Sequence, residues 1–441
     1  MKDSKFSELL HNSIPGGSHT YSKGDDQFPD NAPRGIKKGK GAWIWDIEGN
    51  KYLDCSMGLG SVTLGHAFKP IVNKVVKEME SGINFQRPSY IELEAAEKFL
   101  SLFDEDYMIK FSKNGSNSTT AAIKLARAYT GKNKIAFPED HPFFSFDDWF
   151  ISSKECSKGI PKVYDSLSIK FKSCDINSFK ELILKEKDQL ACIIMEPQKF
   201  SCGNCNCSLS PFEYVKKVIK ICNENNIVFI LDEMVSGFKI ELPGAVKKYD
   251  LKPDLITYGK GIANGFSCSS LVGKREIMNL GSILTIGAEK VFLTSTTHGG
   301  ETHSLRALIS TIDFYTENNV IEKINEKGNR IINSSRTLIA KYNLQKLITV
   351  SNTTWTPIWF FNNYKSHHSL KLKTVFLKEM ISNKILFQGA IVPSFSHGDS
   401  EIEYFLNGFE KSLHTFSEMV KRDHFEIDEN EVIKPVFRKY V

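Results

Sequence analysis

No apolar stretch in this chain is long enough to span a bilayer, which argues against an integral membrane protein. A block of like charge is also missing. Against 52 aspartates and glutamates stand 57 lysines and arginines, a net charge of +5 scattered over 441 residues. That balance marks out no nucleic-acid-binding or membrane-binding face, and neither partner is expected. The opening MKDSKFSELLHNSIPGG carries no apolar h-region and no small-residue cleavage site, so no export signal is expected. Cysteines number nine, an odd count without a disulfide framework, and suit a reducing cytoplasm. Only Cys202, Cys205 and Cys207, in SCGNCNCS, cluster. No second pair or histidine lies nearby in sequence, so a loop of free thiols is expected rather than a zinc site. Internal repeats and low-complexity linkers are absent too.

What is present is an ordered alternation. The length allows two or three domains with a large core. Up to about residue 65 the chain is rich in turns, and GAWIWDIEGNKYLDC reads as a hairpin around Glu48-Gly49-Asn50. From about 70 to 290, strand-like runs (MIKFSK, KIAF, ACIIMEP, IVFILDEMV, DLITYG) alternate with helical patterns. In STTAAIKLARAYTG, Ala122, Leu125, Ala126 and Tyr129 form one stripe and Gly131 is a plausible stop. Apolar strands unbroken by polar positions predict an α/β fold with a mostly parallel sheet covered by helices on both faces. Beyond about 300, helices and the short runs LITV and TPIWFF predict a smaller α+β domain. The expected division is 1–65, packing with the small domain; 66–310, the large domain; and 311–441, the small domain.

In such a sheet, ligands gather beyond the carboxyl ends of the strands. Four features fall there, each with an ordinary alternative. The Gly-Ser-Asn of KNGSNSTTAAIKLARAY opens a helix after a strand. Its backbone N–H groups suit a phosphate that Gly115 lets come close; alternatively Ser116 or Asn117 simply caps the helix. Asp232, with Glu233, ends a very apolar strand and needs a cationic partner to stay ionised. That partner could be a protonated ring nitrogen or a local lysine or arginine. Lys260 lies between Gly259 and Gly261; partly desolvated, its amine could attack a carbonyl, where most lysines are merely solvated. The loop DHPFFSFDDWF offers His141, Phe143, Phe144 and Trp149 for stacking on a ring, or as an apolar anchor. Together these ask for a ligand with a phosphate, a flat ring bearing a basic nitrogen, and an aldehyde. Pyridoxal 5′-phosphate has all three.

These blocks resemble the class III aminotransferases of pyridoxal phosphate fold type I, and within them the glutamate-1-semialdehyde 2,1-aminomutase group. The resemblance runs through IPGGSHTYSKG, the hairpin block with its Leu-Gly-His, FSKNGSNSTTAAIKLARAYTG, IIMEP, ILDEMVSGF, PDLITYGKGIANG and TSTTHGGETHSL. It implies that Lys260 forms the Schiff base and shuttles protons, and that Asp232 pairs with the ring nitrogen. It implies that Gly115, Ser116 and Asn117 lie at the phosphate, with Thr297 reaching the phosphate of a neighbouring subunit in a homodimer. His141 and Glu196 fall beside the ring. Departures cluster where substrate would bind: Gly-Ser-Asn for Gly-Thr-Glu, Lys23 near the place of a substrate-gripping arginine, and Glu301 in GGET for Gly-Asn-Pro. Lys23 and Glu301 are therefore the candidate substrate contacts. The implied activity is amino transfer from a small-molecule donor to a carbonyl acceptor, sugar-like or nucleotide-linked by analogy with surface-polysaccharide enzymes, with aminomutase as the alternative.

Overall fold

The computed structural model describes residues 2–141, 143–197, 209–425 and 427–440. Cys202, Cys205 and Cys207 lie outside them. The chain divides into two compact units, Met1–Phe68 with Glu322–Arg438, and Lys69–Ile321 with Lys439–Val441.

In the first unit, strands β1 (Ile36–Lys40), β2 (Trp43–Asp46) and β3 (Lys51–Asp54) form an antiparallel meander. The predicted hairpin turn is real. The Asp46 carboxylate accepts the N–H groups of Glu48 and Asn50 at 3.0 and 2.7 Å, and Gly49 takes the left-handed conformation at φ 95°.

The second unit contains a seven-stranded sheet built from β4 (Tyr107–Ser112), β5 (Lys134–Pro138), β6 (Ser168–Phe171), β7 (Leu190–Met195), β8 (Val228–Asp232), β9 (Leu255–Tyr258) and β10 (Ser269–Lys274). Its order is β4-β10-β9-β8-β7-β5-β6. All neighbours pair in parallel except β10, which runs antiparallel to both β4 and β9. Every residue of β7, β8 and β9 is buried, as expected of strands covered on both faces. Connecting helices begin and end on local signals. Helix Pro211–Glu224 starts with a Ser210–Glu213 capping box and a proline in its first turn. Helix Gly115–Thr130 ends at Gly131, at φ 67°. Its predicted stripe is right for Ala122, Leu125 and Ala126, which are buried, but not for Tyr129, which is 48% exposed. In the last turn its phenol reaches out to Glu276 Oε1, 3.4 Å away, rather than into the core.

The remaining strands, β11 (Ile348–Val350), β12 (Trp359–Phe361) and β13 (Ile385–Leu386), belong to the first unit. β11 and β12 pair with each other, while β13 lies parallel to β3 and joins chain from both ends in one sheet. Helices Val320–Lys341, Ser369–Ser382 and Asp399–Arg422 supply much of this unit's core, with Trp359, Phe376, Phe387, Phe405 and Phe409 packed together. Among the described residues no helix is long and apolar enough to cross a membrane, and no group of three or more His, Cys, Asp or Glu residues is placed to hold a metal ion.

Candidate active site

The parallel strands of the second unit point their carboxyl ends the same way, and five predicted residues follow from those ends. Gly115 comes three residues after β4, His141 three after β5 and Glu196 directly after β7. Asp232 is the last residue of β8, and Lys260 lies two beyond β9. β7, β8 and β9 are adjacent, so Glu196, Asp232 and Lys260 stand on neighbouring strand ends.

At β4 the helix cap is Asn114, not Ser116 or Asn117. Asn114 Oδ1 accepts the N–H of Asn117 at 3.1 Å. The first-turn N–H groups of Gly115 and Ser116 have no intrahelical acceptor. Ser116 is buried, and its Oγ accepts the N–H of Phe146 at 3.1 Å, leaving its hydroxyl proton to donate. Two more hydroxyls of this helix stitch down the same loop. Thr119 Oγ1 donates to Phe144 O at 2.9 Å; Thr120 Oγ1 donates to Asp147 and accepts from Trp149 Nε1. A Ser112–Ser118–Ser269 hydroxyl chain runs beneath, with links of 2.7 and 2.8 Å.

Asp232 is 1% exposed. Both its hydrogen bonds, from the Met234 N–H and from Thr257 Oγ1, each 2.9 Å, land on Oδ1, so Oδ2 is left for another partner. Burial pushes its pKa up to about 6, against the pull of the Met234 N–H, Lys260 and Thr257. A carboxyl in that state gains from a cation placed beside it. Glu196 is buried as well, and its Oε2 has no hydrogen-bond partner among the described residues. Burial, then the charge of Asp232, push its pKa up to about 8, while Lys260 pulls it back. Its own backbone N–H donates to His141 Nδ1 at 3.2 Å, which makes that nitrogen an acceptor. Lys260 is half-buried and sits at φ 47°, a left-handed conformation that costs a side-chain-bearing residue about 1–3 kcal/mol. Desolvation of its amine lowers the pKa below the usual lysine value, against the raising effect of Asp232 and Glu196.

Glu196 supplies a check on this electrostatic arrangement. Below about pH 4.5 both folded and unfolded chains hold its proton, and above about 8 neither does. Between those limits the unfolded chain releases it first, so the carboxyl costs progressively more stability as pH rises. Glutamine does not titrate. The stability advantage of the Glu196→Gln apoprotein over wild type should therefore widen by at least about 1 kcal/mol from pH 4.5 to 8 in urea unfolding; a pH-independent difference would contradict it.

Glu301 is already engaged, paired with Lys113 and with His298 Nδ1 at 3.0 Å. Its helix, Thr302–Asn318, packs against the Lys260–Ala263 turn. Thr297 is exposed, and its carbonyl accepts from Asn84 Nδ2 at 2.8 Å. Lys23 is exposed in the first unit. Sequence reasoning missed Thr257 and Ser269, which bond the site from neighbouring strands, and Met234. Nothing local marks those three.

The fit to pyridoxal phosphate is testable on these residues. Open N–H groups at a helix start, a carboxylate oxygen without a partner and an amine of lowered pKa supply the three contacts it needs. The surroundings are close: a Cβ on Gly115 would come within 2.8 Å of Met234 Sδ. The seven-stranded sheet and its helices have the fold of type I pyridoxal-phosphate transaminases. The FumI protein of Sphingopyxis sp. MTA144, solved in its PLP form, superposes with a TM-score of 0.85 at 19% identity over 95% of this chain and 97% of its own. The aminotransferase class-III family matches residues 26–351. Glutamate-1-semialdehyde 2,1-aminomutase of Francisella philomiragia is 32% identical over 75% of this chain and 76% of its own length. The aminomutase of Archaeoglobus fulgidus is 31% identical over 74% and 77%. The chain belongs to the class-III aminotransferases. It is an enzyme, and its cofactor is pyridoxal phosphate.

Proposed function

We propose that the chain moves an amino group from a small-molecule donor to a separate small-molecule carbonyl acceptor. One observation carries this reading: the half-buried amine of Lys260 lies within electrostatic reach of two buried carboxyls, Asp232 and Glu196, on adjacent strand ends. When bound, pyridoxal phosphate supplies an aldehyde carbon for amine exchange and a protonated ring that takes up the electrons of a broken Cα–H bond.

The N–H groups of Gly115 and Ser116 and the Ser116 hydroxyl bind the phosphate, with Asn117 beside them. Asp232 holds the ring proton through Oδ2, and the cation in turn keeps this buried carboxylate ionised. The lowered pKa of Lys260 gives a larger share of neutral amine near neutral pH. That amine would hold the coenzyme by its aldehyde carbon until a donor's amine takes its place, and once free it would be the base that moves the substrate's Cα proton. Glu196, whose pKa burial and Asp232 push up, would lie beside the ring with His141 next to it. Lys23 is the cation we assign to a substrate carboxylate. Glu301, which holds Lys113, is the second candidate substrate contact. Ser145, Asp147 and Trp149 of the 144–149 loop bond the helix, and we assign the acceptor no more narrowly than a carbonyl compound.

Exposed apolar side chains of the second unit, Ile83, Phe85, Leu93, Ile283 and Leu284, support a homodimer in which Thr297 serves the neighbouring site. A one-chain mass by light scattering would refute the dimer. Amino transfer itself is tested by mixing the loaded enzyme with candidate amino donors in single turnover. At least one donor should remove the visible absorbance and yield its keto product. If none does, intermolecular transfer is wrong. The second reading, a 2,1-aminomutase, is favoured by the names of the relatives. It predicts product from the semialdehyde alone, with no external donor.

A further inference from the structure

Met234 follows the acidic pair at the end of β8 and is buried. Its thioether lies between two pieces of chain that the reading above gives to opposite ends of the coenzyme. A Cβ built on Gly115 would stand 2.8 Å from Met234 Sδ and 3.0 Å from Cγ; one built on Gly259 would stand 2.3 Å from Sδ. Both glycines therefore lie close against the same side chain. Met234 also donates its N–H to Asp232 Oδ1 at 2.9 Å. On its remaining side is Ser269 Oγ, 3.9 Å from the sulfur and itself held by Ser118 at 2.8 Å and the Tyr258 carbonyl at 2.6 Å. Contacts on these sides restrain the sulfur from retreating from either glycine.

We propose that Met234 is a positioning residue, a spacer that fixes the separation between the helix start at Gly115 and the Lys260 turn at Gly259. A rigid ligand fastened at both ends accepts one separation only, so an error in spacing weakens a doubly held ligand more than a singly held one. The proposal rests on the assignment of phosphate to Gly115 and Ser116 and of the aldehyde to Lys260.

Pyridoxal, which lacks the phosphate, provides the test. Dissociation constants for pyridoxal phosphate and for pyridoxal are measured by absorbance titration of the full chain. The proteins are wild type, Met234→Ala, Met234→Leu, Gly259→Ala and the Gly259→Ala/Met234→Ala double variant. Met234→Ala should weaken pyridoxal phosphate about tenfold and pyridoxal less than about threefold. Leucine, of similar volume, should stay near wild type. Gly259→Ala should show the same bias toward pyridoxal phosphate, and the double variant should regain most of that loss, because the removed thioether leaves room for the new methyl. Equal weakening of both ligands, or losses that simply add in the double variant, would overturn the spacer. If Met234→Ala does not fold, the ligand bias of Gly259→Ala decides. Wild type that binds neither ligand would instead overturn the underlying site assignment, which keeps the two failures apart.

Discussion

Lys260→Ala should lose turnover by a factor of about 10⁴ or more, because in the proposed reaction one amine has both the covalent attachment and the proton transfer to perform. Its position does not permit a ready substitute. Lys239, a fully buried lysine of the same unit, donates to the Val235 carbonyl at 2.6 Å, a bond within its own turn. The left-handed backbone at residue 260 supports the same view, since strain of this kind persists where the surroundings hold it in place. The variant should still bind pyridoxal phosphate through its phosphate, and added small primary amines should restore part of the rate. Steady-state and single-turnover kinetics decide the matter. Retention of more than about 1% of wild-type turnover would assign the proton transfer elsewhere.

Asp232→Asn should lower turnover by about 10²–10³, the scale of one well-placed electrostatic contact. The amide oxygen can still accept from the Met234 N–H and from Thr257, so the fold around it is preserved. What disappears is the negative charge on the free oxygen. The sign of the pH effect follows from the raised pKa. In the unliganded chain the carboxyl becomes protonated as pH falls through about 6, and a cationic ring pulls that midpoint lower. Wild-type activity should therefore have an acidic limb at or below about pH 6 that the asparagine variant lacks. Equal activity of the two proteins at neutral pH would remove Asp232 from the mechanism.

Much of this site is legible in the sequence because the sheet is parallel and buried. Runs such as ACIIM and IVFILD are short, apolar throughout and rich in β-branched residues, which reads as covered strands, and their ends place Glu196 and Asp232. Gly49 and Gly131 mark turns through their own backbone freedom. β10 was harder. SSLVGK is short and begins with two serines, and its antiparallel place between β4 and β9 depends on pairing with strands on both sides. The cap at Asn114 escaped because Ser116 is equally suited by composition. What decides between them is the 115–120 helix face, whose hydroxyls are taken by the 144–149 loop. The pairing of Glu301 with Lys113 is not legible locally because the two lie 188 residues apart. Tyr129 sat on an apolar stripe yet keeps its hydroxyl at the surface. In each case the missing information is a contact between distant parts of the chain, and Met234, wedged against Gly115 and Gly259, is the plainest example.

The central claim is that the side chain of Lys260 carries the coenzyme. Protein loaded with pyridoxal phosphate, reduced with borohydride and digested should yield one modified peptide, with the coenzyme's mass on Lys260. An unmodified Lys260 peptide, or a label on another lysine, would contradict it.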